Sequence, residues 1–172
     1  MVRPSPKWNQ DQDLRLAFKN STVWCYRELA RRVGKMKMKF WLDKAQYGNA
    51  DTSGGLDLFW LKGGLRVTPE QQIDFLKRLH DNKLPFSKRT VDIVKNIMIA
   101  KDTLNYVVRA KTGWSDEEKR IIGWYIGYIE KNNNVYYFAN CIQSADLENN
   151  DFERARIEIA YRILDDLIVT KE

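Results

Sequence analysis

The chain has 172 residues, of which 44% are hydrophobic and 12% aromatic, enough for a single domain with a substantial core. Charged residues make up 30% of the chain, which excludes the composition of an intrinsically disordered segment. The net charge is +6, but the basic residues are dispersed, so we expect no nucleic-acid partner. The densest basic run, Lys-Met-Lys-Met-Lys at 35–39, is interpreted as a solvated segment.

The metal-binding residue types are sparse. Cys25 and Cys141 are the only cysteines and His80 the only histidine, so the sequence predicts no metal site and no cofactor. Whether the two cysteines form a disulfide stays open. No apolar run approaches the roughly 18 residues of a membrane span, so we expect no membrane partner. The first residues also lack the apolar stretch of a secretory signal, so no export signal is expected in this chain.

The amino-terminal part of the chain is dominated by helical patterns. After a Pro-rich start, apolar residues recur at helical spacing and stop before Gly34, a suitable C-cap. The members of this apolar face are Val23, Tyr26, Ala30 and Val33. Residues 37–48 predict a second short helix that ends at Gly48, and residues 47–58 predict a loop rich in Gly, Asn, Asp and Ser.

Two further helices have recognisable starts. Thr68 is a predicted N-cap, with Pro69 at the first helical position. Its apolar face comprises Ile73, Leu76 and Leu79. Ser87 or Thr90 is the predicted cap of the next helix. The apolar face of that helix comprises Val91, Val94, Ile97 and Met98.

The carboxy-terminal part predicts a sheet followed by a helix. Residues 105–114, 121–131 and 134–143 are rich in β-branched and aromatic residues, and the Lys-Asn-Asn-Asn stretch at 131–134 indicates a hairpin, so we predict an antiparallel meander. The last segment predicts an amphipathic helix with Ile159, Ile163 and Leu167 on its apolar face. Together these patterns predict the α+β class and a single domain over residues 1–172. Its helical part would cover about 9–100, and its strands and closing helix about 104–170.

Three short motifs occur in a fixed order along the chain, and their flanks are as informative as the motifs. The motifs are Ser21-Thr22-Val23, Tyr47-Gly48-Asn49 and Lys111-Thr112-Gly113. From about Trp8 to the carboxy terminus, the chain resembles the class D β-lactamases (oxacillinases) and the related β-lactam sensor domains. The resemblance implies a β-lactamase/transpeptidase-like fold, an antiparallel sheet with flanking helices, and β-lactam antibiotics as ligands.

The resemblance also implies roles for the residues of the first and third motifs. Lys111 would supply a positive field for the β-lactam carboxylate, Thr112 would donate a hydrogen bond to it, and Gly113 would let the strand backbone approach the ligand. Ser21 would shuttle a proton near the leaving nitrogen. Ser21 and Lys111 are thus the candidate catalytic residues. The alternatives are a helix cap for Ser21 and an ordinary strand lysine for Lys111.

Further site residues follow from the same resemblance. Arg156 resembles the family arginine that binds the substrate carboxylate, and Trp60 the tryptophan whose N–H holds a carboxylated lysine. Val23 would cover the site, with simple core packing as its alternative, and Trp114 completes the candidate substrate-binding set. The motif Tyr47-Gly48-Asn49 is interpreted as a structural loop that shapes the edge of the site.

The Ser-x-x-Lys motif of the family, in which a lysine activates the acylating serine one helical turn away, is absent from this sequence. The residues three positions after the six serines are Trp8, Trp24, Leu56, Thr90, Glu118 and Leu147. We therefore expect an amino-terminally truncated family member that binds β-lactams weakly and without acylation. An uncovered sheet edge and exposed apolar surface predict self-association or a complementing amino-terminal segment.

Three alternatives to this interpretation stay open. The first is a non-catalytic binding or assembly protein that reuses the fold. The second is a fragment of a β-lactam sensor domain. The third is part of an intact hydrolase whose upstream region carries the nucleophile.

Overall fold

A computed structural model describes residues 5–117, 120–146, 151–167 and 169. A short 3-10 helix (Pro6–Trp8) comes first. In chain order, the α-helices and strands of the described residues are then α1 (Leu14–Lys19), α2 (Val23–Val33), α3 (Lys35–Ala45), α4 (Pro69–His80), α5 (Lys88–Ile97), β1 (Ile99–Asp102), β2 (Val107–Glu117), β3 (Arg120–Lys131), β4 (Asn134–Ser144) and α6 (Phe152–Asp166). The predicted α+β class, with helices flanking an antiparallel sheet, is confirmed. The assignment of residues 1–172 to one domain stays a prediction.

Local sequence signals explain where most helices begin and end. Gly34, with φ of 80°, ends α2 in a backbone conformation that favours glycine, and α3 begins at the next residue. Thr68 and Gln71 form a reciprocal capping box at the start of α4. Ser87, and not Thr90, caps α5, because its Oγ accepts a hydrogen bond from the Thr90 amide.

Three helix and strand predictions need correction. Helix α3 ends at Ala45 and not at Gly48, because Gln46 adopts the left-handed conformation that closes the helix. Helix α1 was not predicted, because six residues capped by Asp13 are too short to show a helical period. Strand β1 was not predicted, because the helical part was expected to reach about residue 100, yet Ile99 pairs with Arg109 of β2. A long-range pairing of this kind overrides local propensity.

The four strands form one antiparallel sheet in the order β1-β2-β3-β4. The predicted hairpin is confirmed: Lys131 pairs with Asn134, and the two residues between them, Asn132 and Asn133, have φ values of 50° and 61°. Two positive φ values are what a tight two-residue turn requires, and asparagine tolerates them. The sheet therefore presents β2 and β3 as its central strands.

Helices cover both faces of the sheet. On one face, the α6 residues Ala160 and Leu164 pack against buried side chains of β2 and β3 such as Val108 and Ile129. On the other face, Tyr128 of β3 packs against a cluster from α4 and α5. The main members of that cluster are Leu76, Leu79, Val91 and Met98. The core thus covers the sheet on both faces, and the pairing of β2 with β3 along its whole length fixes the position of the Lys-Thr-Gly motif.

The apolar face predicted for α6 is wrong. The three predicted residues, Ile159, Ile163 and Leu167, are 39%, 54% and 68% exposed. The buried residues of α6 follow one another at intervals of one helical turn and are Phe152, Arg156, Ala160 and Leu164. Both series have a four-residue spacing, so periodicity alone could not distinguish them. The arginine in the buried series made it look like the polar face. An apolar stripe consequently remains on the outside of α6.

Candidate functional site

Lys111 on β2 is the centre of the candidate site. Its Nζ donates hydrogen bonds to the Ser21 Oγ, to the Thr112 carbonyl oxygen at 2.9 Å and to the Thr112 Oγ1 at 3.2 Å. The same ammonium group lies 5.5 Å from the centre of the Phe18 ring, a cation–π distance. Ser21 and Lys111 are 90 residues apart in the sequence, so the fold alone brings these two candidate catalytic side chains together.

Ser21 lies in the link between α1 and α2 with φ of 49°, an uncommon conformation for a residue with a side chain. Thr22, and not Ser21, is the N-cap of α2, so the alternative role of Ser21 as a helix cap is wrong. Thr22 is fully buried, and its hydroxyl donates to the Gln12 Oε1 at 3.0 Å. This anchored neighbour holds the unusual backbone that turns the Ser21 hydroxyl toward β2.

The environment of Lys111 shifts its protonation equilibrium. Burial, and secondarily the positive charge of Arg156, lower the pKa of Lys111 from an ordinary 10.5 to about 8. With a pKa of about 8, the ammonium form of Lys111 still dominates at neutral pH, but a minor fraction of the side chain is the neutral amine. A lysine poised in this way can supply positive charge to an anionic ligand and can also release a proton at modest cost.

Arg156 of α6 lies at the other end of the Lys-Thr-Gly motif and is only 5% exposed. Its Nη1 donates to the Gly113 carbonyl oxygen, and its Nε donates to the Glu153 carbonyl oxygen at 3.1 Å. The guanidinium lies 5.4 Å from the centre of the Trp114 ring. Burial lowers the pKa of Arg156, which Glu153 partly opposes. Lys111 at the start of the motif and Arg156 at the Gly113 carbonyl thus place one cation at each end of the motif.

Two glycines allow α6 and the strands to approach this closely. A Cβ at Gly123 of β3 would lie 2.8 Å from the Phe152 Cε1 and 3.2 Å from the Arg156 Cδ. A Cβ at Gly113 would lie 3.1 Å from the Trp124 Cβ. Glycine at 123 is therefore what lets the arginine pass over the sheet and reach the Gly113 carbonyl.

Two other predicted site residues lie near the motif but make no polar contact with it. Val23 is the first residue of α2, next to the Ser21 link, and is half-buried. Trp60 packs edge-on against Phe59 at 4.9 Å, and its indole N–H has no acceptor within the described parts of the chain. The Ser115 Oγ donates to the Leu61 carbonyl oxygen at 3.4 Å, which ties the loop that carries Trp60 to β2.

The Tyr47-Gly48-Asn49 motif locks a loop together. The Tyr47 hydroxyl donates to the Gln72 Oε1 at 2.8 Å, and the Asn49 Nδ2 donates to the Gly64 carbonyl oxygen at 2.9 Å. A Cβ at Gly48, where φ is 54°, would lie 2.1 Å from the Arg66 carbonyl oxygen. These partners belong to α4 and to the segment 64–66, so the motif joins its loop to both of them.

The open question of a disulfide is settled by the structure. Cys25 and Cys141 are both free thiols. Within the described ranges, no three His, Cys, Asp or Glu side chains converge as a metal site would require. Over the same ranges, no helix combines the length and the apolar character needed to cross a bilayer.

Sequence reasoning missed two residues that shape the site. Phe18 faces the Lys111 ammonium, but it lies in α1, whose brevity hid the helix. Glu153 accepts from the Arg156 Nη2 at 3.4 Å. The spacing of three residues between Glu153 and Arg156 on a predicted helix was a usable signal for this pair.

Comparison with known proteins agrees with the geometry. The family model of the penicillin binding protein transpeptidase domain matches residues 3–165. Beta-lactamase OXA-48 of Klebsiella pneumoniae is 40% identical over 163 residues, which cover 95% of this chain and 60% of that protein. A class D β-lactamase structure from Nostoc superposes with a TM-score of 0.92 at 50% identity, covering 97% of this chain and 70% of that one.

A receptor is also among the similar structures. The C-terminal domain of the Bacillus licheniformis BlaR penicillin-receptor superposes with a TM-score of 0.91 at 32% identity, covering 99% of this chain and 68% of that one. The matched family model and the fold therefore place the chain in the class of penicillin binding protein transpeptidase domains. Within that class, the chain belongs to the class D β-lactamase family, which confirms the resemblance drawn from its motifs. It spans about half to three fifths of the length of the curated relatives it matches.

Proposed function

We propose that this chain provides the β-lactam recognition part of a class D site and binds β-lactams without acylating them. The observation that carries the proposal is the convergence of Lys111 and Arg156 on one strand segment, together with the Thr112 and Ser21 hydroxyls. No Ser-x-x-Lys motif accompanies them in this sequence. Two cations and two hydroxyl donors suit an anionic ligand that also carries hydrogen-bond acceptors, as a β-lactam does.

The hydrogen bonds of Lys111 prepare both hydroxyls as donors. The Ser21 Oγ and the Thr112 Oγ1 each accept a hydrogen bond from the Lys111 Nζ. Since each hydroxyl still carries its own hydrogen, each can donate to a bound ligand. The Thr112 hydroxyl suits the ligand carboxylate, and the Ser21 hydroxyl suits the lactam nitrogen or carbonyl. Arg156 reinforces the positive field from the far end of the motif.

The expected affinity is low. Charge-assisted hydrogen bonds contribute about 1.5–3 kcal/mol each, and association itself costs several kcal/mol. Two or three such contacts correspond to a Kd on the order of 1 mM. Without an activated nucleophile, the amide of the ligand stays intact.

Intact mass and ligand-observed NMR test the proposal on the purified chain. With benzylpenicillin, we expect no change of mass, together with saturation transfer from the protein to the ligand. An exposed-lysine control, Lys88→Met on α5, should behave like the unmodified chain. A stable adduct of one β-lactam would refute the proposal of non-acylating binding. In that case Ser21→Ala would show whether Ser21 is the acylated residue.

We further propose that a second copy or a complementing segment that carries the nucleophile covers the outside of α6 and the outer edge of β4. Support comes from the exposed stripe of Ile159, Ile163 and Leu167, and from β4 lying at the end of the strand order. A depression of about 490 Å³ adjoins both elements. Its lining includes Ile73, Val135, Tyr136, Leu164, Leu167 and Val169. Exposed apolar surface of this kind marks an interaction site.

In isolation, the chain should self-associate through this stripe. Sedimentation velocity over a concentration series should show association that Ile163→Asp suppresses, because a carboxylate on the stripe would lose its hydration in the interface. Leu104→Asp, which changes an equally apolar and fully exposed residue in the β1–β2 turn, is the matched control. A monomer at all concentrations would instead favour the complementing segment. Ordered oligomers without any β-lactam binding would favour the alternative of an assembly protein.

A fragment of a β-lactam sensor domain is the second candidate function, and the similarity to the BlaR penicillin-receptor domain favours it. The recognition chemistry would be the same for both candidates. A membrane-spanning segment encoded in frame upstream of this sequence would distinguish the sensor from the hydrolase.

A further inference from the structure

The outer face of α3 carries two apolar side chains that project from the protein. Met36 and Phe40, one helical turn apart, are 85% and 49% exposed. The inner face of the same helix is formed by Met38 and Leu42, which are half-buried, and by the buried Ala45. Met36 and Phe40 therefore do not contribute to the core, and the helix has a second apolar face that points to the outside.

Lysines flank this outer face on both sides. At 100° per residue, Lys39 lies on one side of the Met36–Phe40 ridge, and Lys37 and Lys44 lie on the other. The Lys44 Nζ lies 5.7 Å from the centre of the Phe40 ring. The single acidic residue of the helix, Asp43, is paired with Lys39 at 2.5 Å. Across the described chain, Lys37 has no ion-pair partner, so its charge is available to an external anion.

We infer that the outer face of α3 docks on an anionic phospholipid surface. An apolar ridge bordered by lysines matches a bilayer, because the ridge can enter the acyl boundary while the lysine stems extend to the headgroups. Each lysine close to an anionic leaflet adds to the attraction. This docking lies flat on the membrane and involves no spanning helix. It differs from the solvated role that the sequence suggests for residues 35–39.

Charge and shape favour a phospholipid surface over other partners for the outer face of α3. A second copy of the chain would bring four lysines of one α3 against four of another, which is repulsive. A folded protein partner would need a hole to receive a side chain as exposed as Met36. A fluid bilayer accepts such a side chain without a preformed hole. The hydrogen-bond partners of Lys111 and Arg156 described above all lie outside α3, so docking leaves those contacts in place.

Co-sedimentation of the full chain with large unilamellar vesicles tests the inference. We expect binding to vesicles of equal parts phosphatidylcholine and phosphatidylglycerol, and no binding to phosphatidylcholine alone. Raising salt from about 0.1 M to about 1 M shortens the Debye length from about 10 to 3 Å, so binding should fall steeply. The double variant Met36→Ser with Phe40→Ser, and separately Lys35→Gln with Lys37→Gln, should each lower the partition coefficient about tenfold.

Matched controls change similar side chains elsewhere. Leu104→Ser removes an exposed apolar residue from the β1–β2 turn, and Lys88→Gln removes an exposed lysine from α5; neither should alter vesicle binding. All substituted residues are exposed, so near-ultraviolet circular dichroism should show intact folds for every variant. Failure of the chain to bind anionic vesicles, or equal binding by the α3 variants, would overturn the inference. Binding of the same face to DNA or an acidic peptide, but not to vesicles, would likewise overturn it and assign an acidic macromolecule.

Discussion

Lys111→Met is expected to abolish detectable β-lactam binding while raising the unfolding temperature at neutral pH. The two effects have opposite signs because the charge that attracts the ligand carboxylate is largely removed from water in the folded chain. Methionine keeps the length and apolar stem of the side chain but needs no solvation. Each kcal/mol of stability gained corresponds to a rise in Tm of about 2–4 °C for a domain of this size.

The stability difference between Lys111→Met and the unmodified chain should depend on pH. The pKa of Lys111 is about 8 in the folded chain and 10.5 ordinarily, so between these values the unfolded chain binds more protons. The unfolding free energy of the unmodified chain therefore gains from this lysine as the pH rises from about 8 to 10.5. Lys111→Met lacks this gain. The difference in Tm between Lys111→Met and the unmodified chain should therefore be largest below pH 8 and should shrink toward pH 10.5.

Scanning calorimetry over this pH window measures the gap. Lys88→Met, at an exposed lysine paired with Asp92 on α5, should show no comparable rise at neutral pH. Binding of benzylpenicillin to the unmodified chain should weaken in the same window, by about tenfold per pH unit above the pKa, as the ammonium form disappears. A Lys111→Met chain that is less stable than the unmodified one at neutral pH would show that the hydrogen bonds to Ser21 and Thr112 outweigh the desolvation of the ammonium.

The sequence carried enough information for the local parts of this fold and site. Gly34, Thr68 and the pair Asn132-Asn133 act through their own backbone preferences, so their helix ends and hairpin turn could be predicted. Lys111, Thr112 and Gly113 were predicted on a strand from the apolar residues before them, and β2 places them there. The order of the three motifs was sufficient to indicate the family.

Features that depend on distant partners could not be predicted in the same way. The burial of Arg156 depends on Gly123 of β3, which leaves room for its side chain, and on the Gly113 carbonyl oxygen of β2, which accepts its hydrogen bond. The periodicity of α6 does not report these distant contacts. The buried face of α6 was therefore assigned to Ile159, Ile163 and Leu167. The turned backbone at Ser21 similarly depends on the burial of Thr22.

Arg156→Ala is expected to lower both stability and β-lactam affinity, in contrast to Lys111→Met. Alanine would leave the Gly113 carbonyl oxygen without its donor and would open space beside Trp114. A buried acceptor that loses its partner costs about 1–3 kcal/mol, and the cavity adds to this. Arg156→Lys keeps a cation but loses the donation from Nε to the Glu153 carbonyl oxygen and the cation–π contact of the guanidinium with the Trp114 ring. It should recover part of the affinity and little of the stability, as measured by urea unfolding and NMR titration.

Gly123→Ala offers an independent perturbation of the same arginine. The added methyl group would lie 3.2 Å from the Arg156 Cδ and 2.8 Å from the Phe152 Cε1, so α6 must shift away from the sheet. If Arg156 contributes to binding through its position, Gly123→Ala should weaken benzylpenicillin binding in the unmodified chain but have little further effect in Arg156→Ala. Additive losses in the double variant would show that Gly123→Ala weakens binding independently of Arg156.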